Sequence, residues 1–240
     1  MTLPVEVDGV VKSFGDRTVL RDVGFAVEPG ETFAIIGPSG AGKTTLLRCM
    51  NFLLRPDAGH VRYDGRDAPA GPADLLALRR RIGMVTQYPL LFRGSASYNV
   101  SYGLCVRGVE DPALTERTLA ALNAVGLRDR ADARASTLSA GEAQRVAFAR
   151  AIVARPEALL LDECTANLDP VNVNILESAI REYRRATGAT VLLVTHNMFQ
   201  AKRLATRVAL LLDGTIVETG AAADFFDTPL RSIAAATKST

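Results

Sequence analysis

One glycine-rich stretch contains the residues best suited to chemistry. It reads GPSGAGKT and runs, in order, through Gly37, Pro38, Ser39, Gly40, Ala41, Gly42, Lys43 and Thr44. These residues fit the phosphate-loop pattern G-x-x-x-x-G-K-[ST] without a mismatch. In such a loop, glycines let backbone N–H groups turn toward phosphate oxygens, and the lysine neutralises the β- and γ-phosphates. The stretch therefore predicts a nucleotide site that extends to Thr45, with the Thr44 hydroxyl as a ligand for Mg²⁺.

The segments on either side of this loop support the same interpretation. Thr32–Ile36 is an apolar run that predicts a buried strand, and residues 45–50 predict a helix. The positive end of that helix would face the same anion as the loop. The alternative is a glycine-rich turn that contains a lysine by chance.

A second apolar strand ends in two carboxylates. Residues 158–161 are apolar, and Asp162 and Glu163 follow directly. Because ligands bind at the carboxyl ends of strands in a parallel sheet, we expect these acids beside the phosphate loop. Asp162 is predicted to hold Mg²⁺, directly or through water, and Glu163 to polarise an attacking water. An acidic turn after a buried strand is the alternative.

The remaining apolar runs predict an α/β fold. Short strands are expected at 5–11, 18–27 and 61–63, and apolar strands at 83–86, 191–195 and 208–212. Runs that are apolar on both faces are typical of a parallel sheet covered by helices. We therefore expect one domain over 1–240: a phosphate-loop NTPase core with a mainly parallel sheet and an N-terminal antiparallel β subdomain (about 1–87 and 158–240), and an inserted helical subdomain (about 88–157).

Composition limits the class of protein. Of 240 residues, 48% are hydrophobic, which is enough for a sizeable core, and 28 basic side chains face 26 acidic ones. This near balance gives no reason to expect nucleic acid as the main partner. Cys49, Cys105 and Cys164 show no metal-ligand spacing, so we expect free thiols in a reducing compartment. We expect no secretory signal and no membrane span, so that any membrane role would come through a partner.

The segment before the carboxylate strand distinguishes the chain from other phosphate-loop proteins. Residues 138–146 read LSAGEAQRV and resemble the signature motif of ATP-binding cassette ATPases, LSGGQ followed by x-x-R-V. Ala140 stands where the motif has glycine, and Glu142 where it has glutamine. Ser139 and Glu142 also form an S-x-x-E capping box, and we expect both interpretations to hold. The resemblance implies that Ser139, Gly141 and Glu142, at this helix end, face the γ-phosphate held by a second subunit.

Other positions match further motifs of the family. Gln87 follows a predicted strand and resembles the glutamine that senses Mg²⁺ and water; a solvated loop residue is the alternative. His196 resembles the switch histidine that contacts the γ-phosphate, with a solvated or capping histidine as the alternative. Phe14 stands where the family has an aromatic residue that stacks on adenine, with a core aromatic as the alternative. Residues 166–169 resemble the loop that touches the other subunit, and Asp169 is also a candidate N-cap.

Cys164 follows Glu163 where most members of the family have proline. A small buried thiol is chemically tolerable at this position. Because it adjoins the expected catalytic glutamate, we also expect thiol modification to inhibit the protein, and ATP bound beforehand to protect it.

The resemblance extends from Phe14 to Gly220 and implies a function. It implies the ATP-hydrolysing subunit of a membrane transporter, with ATP and Mg²⁺ as cofactors and two copies that sandwich the nucleotide. The implied partners are a second copy, transmembrane permease subunits and a separate solute-binding protein, at the cytoplasmic side of the membrane. The apolar run 88–92 is expected to accept a permease helix, with ordinary core as the alternative.

The transported solute is left open by the motifs. The segment 165–218 resembles the ATPases of oxyanion importers of the tungstate, molybdate and phosphate type, and amino-acid importers are the alternative. A family member that signals through a membrane partner without moving solute remains possible. A cassette protein acting on ribosomes or DNA is a further alternative, although those usually carry two cassettes or a long coiled-coil insertion.

Overall fold

The computed structural model describes residues 2–227, and their strands form two sheets. The strands are β1 (Val5–Phe14), β2 (Arg17–Val27), β3 (Thr32–Ile36), β4 (Ala58–Tyr63), β5 (Arg66–Asp67), β6 (Ile82–Val85), β7 (Ala158–Asp162), β8 (Thr190–Thr195), β9 (Arg207–Leu212) and β10 (Thr215–Ala221). The helices are α1 (Lys43–Met50), α2 (Pro72–Arg80), α3 (Ala96–Cys105), α4 (Ala113–Ala124), α5 (Ala140–Ile152), α6 (Pro170–Thr187), α7 (Met198–Leu204) and α8 (Ala222–Asp227). Short 3₁₀ turns at Arg128–Arg130 and Ala135–Thr137 precede α5.

The larger sheet has the order β10-β9-β3-β8-β7-β6. Its pairings are parallel except for the edge pair β9 and β10, which is antiparallel. Every residue of β3, β7 and β8 is buried, because helices cover both faces of the sheet. The smaller sheet, with the order β2-β1-β4-β5, is antiparallel. The predicted fold class, with its parallel core and antiparallel N-terminal subdomain, is confirmed.

The two faces of the larger sheet bury different partners. On one face, Leu46 and Leu47 of α1 pack with the β subdomain. On the other, Phe148 of α5 and Leu176 of α6 pack with Leu159 and neighbouring strand residues. The helices α3, α4 and α5 lie in the segment expected to be a helical insertion. None of the helices within residues 2–227 is long and apolar enough to cross a membrane.

Several boundaries differ from the sequence prediction. The first strand continues past the predicted residue 11 to Phe14, and β4 begins at Ala58 rather than at residue 61. Both extensions are held by strand pairing, including Val11 opposite Ala58, although residues 58–60 are exposed. Helix α2 was not predicted; it is short and buries no residue fully. These elements depend on their neighbours more than on a local apolar pattern.

The ends of two helices follow the predicted capping. Asp169 caps α6, and its side chain accepts hydrogen bonds from the backbone N–H groups of Val171 and Asn172. Gly188 ends the helix in the left-handed conformation, with φ of 71°. Ser139 and Glu142 form the predicted capping box at the start of α5. These local patterns are therefore confirmed.

Candidate functional site

The phosphate loop connects β3 to α1 at the carboxyl end of the larger sheet. Gly42 adopts φ of 104°, and a Cβ there would press on the side chain of Leu20. A Cβ at Gly37 would overlap the carbonyl oxygen of Leu211 on the neighbouring strand. Glycine is therefore required at both positions, and the loop leads directly into the start of α1, where a helix N-terminus favours an anion.

Lys43 lies almost buried at the start of α1, with 5% of its surface exposed. Its Nζ donates hydrogen bonds to the carbonyl oxygens of Gly37, at 2.8 Å, and Pro38, at 2.9 Å. It also lies 3.6 Å from Oε1 of Glu163. The Lys43 ammonium group is thus enclosed by the phosphate loop. A phosphate bound there would meet a largely desolvated cation.

Thr44 and Asp162 meet between α1 and the end of β7. The Thr44 hydroxyl donates a hydrogen bond of 2.9 Å to Oδ1 of Asp162. Burial raises the pKa of Asp162, while the Thr44 hydrogen bond opposes that rise. A hydroxyl and a carboxylate oxygen side by side are the donor set that Mg²⁺ takes next to a bound phosphate. The residues present therefore fit a magnesium ion.

Glu163 has an unusual backbone conformation for a residue with a side chain, with φ of 45°. Its Oε2 lies 2.9 Å from Nδ1 of His196, which follows β8. Residues held in sparsely populated conformations cluster at functional sites, because the surrounding fold has to impose the conformation. The pairing brings two predicted site residues from neighbouring strands together.

A cavity of about 450 Å³ opens at the phosphate loop. Its lining consists of Phe14, Arg17, Val19, Ser39, Gly40, Gly42, Lys43, Thr44, Thr45, Arg48, Gln87 and Glu163. Phe14 is 50% exposed at the end of β1, so the core alternative for this residue is wrong. Gln87 reaches the same cavity from the loop after β6. Phe14, Gln87, Glu163 and most of the predicted phosphate-loop residues therefore line one opening, whereas Asp162 and His196 are not among its lining residues.

Arg17 and Arg48 line this cavity and were not predicted from the sequence. Arg17 begins β2, just across the hairpin turn from Phe14, and Arg48 lies one helical turn beyond Thr44 on α1. The sequence signal for each arginine is its position: Arg17 comes three residues after Phe14, and Arg48 comes four residues after Thr44. A larger open groove of about 1000 Å³, lined by residues such as Phe52, Leu54 and Leu75, contains none of the predicted site residues.

The signature residues lie apart from this cavity. Ser139 Oγ accepts a hydrogen bond of 3.2 Å from the Glu142 N–H, and Oε2 of Glu142 accepts one of 2.9 Å from the Ser139 N–H. A Cβ at Gly141 would overlap the carboxamide of Asn172 on α6. The three signature residues are not among the described residues that line the phosphate-loop cavity: Ser139, Gly141 and Glu142. Within one chain, the start of α5 therefore lies outside the phosphate-loop cavity.

The environment of Cys164 contradicts the expectation of thiol inhibition. The side chain is 1% exposed, and burial raises its pKa to about 12. A thiol that is neither accessible nor ionised reacts slowly. Cys49 is also buried, with a pKa raised by burial to about 11, whereas Cys105 on α3 is exposed.

The fold and the site define a phosphate-loop ATPase in which a strand carrying two acids lies beside the loop. Residues 20–166 match the sequence profile of the ABC transporter family. The chain belongs to this family, and it is an ATP-binding cassette ATPase that binds ATP and ADP and couples ATP hydrolysis to transport.

Three curated relatives illustrate the similarity. A probable anion import ATP-binding protein of Haloferax volcanii is 47% identical over 232 residues, covering 90% of this chain and 80% of that protein. The phosphate import ATP-binding protein PstB 2 of Natronomonas pharaonis is 46% identical over 233 residues, covering 93% and 82%. The methionine import ATP-binding protein MetN of Thermobifida fusca is 43% identical over 212 residues, covering 88% and 66%.

Two solved structures have the same fold. cbiO1 from Clostridium perfringens, part of the ABC transporter complex cbiONQ, superposes with a TM-score of 0.86 at 28% identity, covering 94% of this chain and 91% of that one. The ATP-binding cassette MJ0796, in a dimeric post-hydrolysis state bound to ADP and Pi, superposes with a TM-score of 0.82 at 29% identity, covering 91% and 98%.

Proposed function

We propose that this chain is the ATP-hydrolysing subunit of an importer for an inorganic oxyanion such as phosphate, tungstate or molybdate. The observation that carries the proposal is the identity of 47% and 46% to relatives named for anion and phosphate import. The solute itself would be bound by partner subunits, since the cavity of this chain is built for a nucleotide. Import of an amino acid is the second candidate, favoured by the 43% identity to a methionine import protein.

The nucleotide is held by the cavity at the phosphate loop. Phe14 stacks on the adenine from the rim of the cavity, where the residue is 50% exposed. The backbone N–H groups of the loop and the ammonium of Lys43 bind the phosphates. The residues assigned to the nucleotide are Phe14, Gly37, Pro38, Ser39, Gly40, Ala41, Gly42, Lys43, Thr44 and Thr45.

Thr44 and Asp162 would hold Mg²⁺ together with Gln87, which lines the same cavity as Thr44. The bound ion supplies neutralisation of negative charge on the phosphate oxygens. A bound cation would oppose the rise in the pKa of Asp162 that burial causes, because an opposite charge favours the ionised form.

Glu163 accepts a proton from the attacking water or orients it. His196 contacts the Glu163 carboxylate at 2.9 Å and is the residue assigned to the γ-phosphate. Most of the catalytic effect is positioning and charge stabilisation, because phosphoryl transfer requires little covalent chemistry from the protein.

A second copy of the chain completes the site. Ser139, Gly141 and Glu142 present the N-terminus of α5 to the γ-phosphate bound by the partner copy, as a helix N-terminus favours an anion. Support comes from the position of these residues outside the chain's own cavity and from the dimeric state of the related cassette MJ0796.

The permease contacts the exposed apolar residues that follow Gln87. Tyr88 is 69% exposed, Leu90 83% and Phe92 44%, so the core alternative does not describe these three side chains. The chain thereby sits at the cytoplasmic side of the membrane, and a separate solute-binding protein delivers the oxyanion.

Co-purification tests the proposal. The tagged chain is isolated with its membrane subunits and solute-binding protein, and the complex is reconstituted in vesicles. We expect uptake of radiolabelled phosphate, molybdate or tungstate that requires ATP and the solute-binding protein. Uptake of methionine instead would favour the second candidate, and partner-stimulated ATP hydrolysis without uptake of any solute would favour a signalling role.

A further inference from the structure

The segments that carry Glu163 and His196 are joined at a further, buried point, which is Gln200 of α7. The Nε2 atom of Gln200 donates a hydrogen bond of 2.6 Å to Oγ1 of Thr165, which lies two residues after Glu163. Gln200 is fully buried, and Thr165 is 8% exposed. The segment after β7 and the helix after His196 are therefore connected by a hydrogen bond that is shielded from water, in addition to the Glu163–His196 contact of 2.9 Å.

Helix α7 is itself fixed to α6. Arg203 donates hydrogen bonds of 2.9 Å from Nε and 2.6 Å from Nη2 to the two carboxylate oxygens of Glu177. Glu177 is 1% exposed, so the loss of either partner would leave a charge without its counter-ion. At the start of α7, the Asn197 side chain accepts a hydrogen bond of 3.1 Å from the Gln200 N–H. The backbone of Gln200 thus belongs to a helix that α6 holds in place, and its side chain extends that support to Thr165.

The turn from Glu163 to Thr165 needs support from outside. Glu163 has φ of 45°, a conformation that persists in a residue with a side chain only where the surroundings impose it. The carbonyl oxygen of Glu163 accepts a hydrogen bond of 2.9 Å from the Ala166 N–H, and the Glu163 N–H donates one of 2.9 Å to the carbonyl of Val194 on β8. The bond from Gln200 fixes the other end of this turn, at the Thr165 side chain.

Gln200 is a costly residue at this position. Its Oε1 atom is buried and has no hydrogen-bond partner among the described residues 2–227. A buried amide that is only partly satisfied costs free energy, and two apolar side chains of the same shape can be equally stable or more stable. The amide is therefore better explained by the group that it holds in place than by stability that it adds.

We propose that Gln200 is a positioning residue: through Thr165, it holds the turn that carries the carboxylate of Glu163. Holding this turn keeps the carboxylate in contact with His196. Neither Gln200 nor Thr165 is among the described residues that line the phosphate-loop cavity, so both act through the turn. The roles of Glu163 and His196 in hydrolysis rest on the proposed function; the bond between Gln200 and Thr165 does not.

A double-mutant cycle of ATP hydrolysis and unfolding tests the proposal. In Gln200→Met and in Thr165→Val, each of which keeps the side-chain shape, we expect kcat to fall about tenfold and KM for ATP to stay within about twofold. The double variant should be no slower than either single variant, because both changes remove the same bond. Its midpoint of denaturant unfolding should equal or exceed that of wild type. Thr165→Ser, which keeps the hydroxyl, should retain a kcat within about twofold of wild type.

Thr190→Val is the matched control. Thr190 is fully buried at the first residue of β8, whereas His196 follows the last, and its hydroxyl accepts a hydrogen bond of 3.1 Å from the Gly30 N–H. The same substitution there should lower the unfolding midpoint, because a backbone N–H loses its partner, and leave kcat within about twofold of wild type. A kcat that follows stability across all variants, or losses that add up in the double variant, would overturn the proposal.

The imidazole ¹⁵N resonances measure the geometry without hydrolysis. The chain has two histidines, His60 and His196, so few signals need to be assigned. Both Gln200→Met and Thr165→Val should move the His196 resonances, because the contact of this ring with the carboxylate is altered. The His60 resonances should stay in place. Unmoved His196 resonances in both variants would overturn the proposal.

The outcomes separate the inference from the proposed function. If Glu163→Gln hydrolyses ATP at the wild-type rate, the proposed role of Glu163 fails, and the His196 resonances still decide whether Gln200 positions the turn. Moved resonances with a wild-type kcat in both test variants would show that the position of the turn does not affect hydrolysis, which overturns the inference alone.

Discussion

Glu163 and His196 are joined side chain to side chain, with Oε2 of the glutamate 2.9 Å from Nδ1 of the histidine. The other carboxylate oxygen, Oε1, lies 3.6 Å from the ammonium of Lys43. Two side chains therefore orient the Glu163 carboxylate. One is Lys43 at the start of α1, and the other is His196, which directly follows β8. Removing this carboxylate should affect turnover far more than nucleotide affinity.

Glu163→Gln should retain ATP binding and lose turnover by at least about 100-fold, because an amide does not accept the proton of the attacking water. It should also accumulate a dimer in the presence of ATP and Mg²⁺, since hydrolysis would no longer open it. Equilibrium binding, steady-state hydrolysis and size-exclusion chromatography measure these effects. A variant that stays monomeric at saturating ATP would contradict the sandwich.

Lys43→Ala should weaken ATP binding at least about tenfold, because a charge-assisted contact to the phosphates is lost in a nearly dry site. The loop should keep its shape, since Gly37 and Gly42 set it. Titration with a fluorescent ATP analogue provides the measurement, and Lys12→Ala, which alters an ammonium near Phe14, is the control. An affinity within threefold of wild type would exclude the assigned role.

Ser139→Ala should leave ATP binding to the monomer unchanged and lower hydrolysis at least about tenfold, because Ser139 serves the nucleotide of the other copy. Loss of the cap should also cost about 1 kcal/mol of the free energy of unfolding. Ser95→Ala is a control, since Ser95 caps α3 in the same way away from the site. Mixing Ser139→Ala with Lys43→Ala subunits should restore partial hydrolysis, because one of the two sites then combines an intact Lys43 with an intact Ser139 from the other subunit. Equal hydrolysis by wild type and Ser139→Ala would show that Ser139 only caps the helix.

A thiol reagent should label Cys105 alone in the native protein. Cys49 and Cys164 are buried with raised pKa values, and become reactive only on unfolding. Mass spectrometry after brief treatment with iodoacetamide should find one adduct in wild type and none in Cys105→Ser. Rapid modification of Cys164, prevented by ATP, would instead restore the expectation that the structure contradicts.

The stability contributed by Glu157 should depend on pH. Arg81 holds this carboxylate with hydrogen bonds of 2.8 and 2.9 Å, which lower the pKa of Glu157 below its ordinary value of 4.5. A lowered folded-state pKa means that the contribution is complete above the unfolded value and is lost as pH falls through the folded one. Glu157→Gln should therefore be less stable than wild type at pH 7, by about 1 kcal/mol. Denaturant unfolding from pH 7 to 3 should show that difference shrinking below the ordinary pKa; a difference that stays constant would exclude the ion pair as its cause.

The sequence by itself determined the features that are contiguous along the chain. The phosphate loop from Gly37 to Thr44, the acids after β7, and the caps at Ser139 and Asp169 each depend on a few neighbouring residues and on the element they start or end. Local patterns of this kind specify their structure before any long-range contact forms. The parallel core followed for the same reason, since its strands are apolar along their whole length.

Only the tertiary structure decided which distant residues meet. Glu163 and His196 are 33 positions apart, Gln144 and Thr86 are 58 apart, and Arg150 and Leu90 are 60 apart, so no local pattern reports these contacts. The exposure of Phe14 and the burial of Cys164 could likewise not be predicted from the sequence. A short apolar stretch can lie on the surface or in the core with the same residue types. Burial and long-range pairing depend on how the sheets and helices pack together, and that packing decided which side chains line the phosphate-loop cavity, which are exposed and which are buried in the interior.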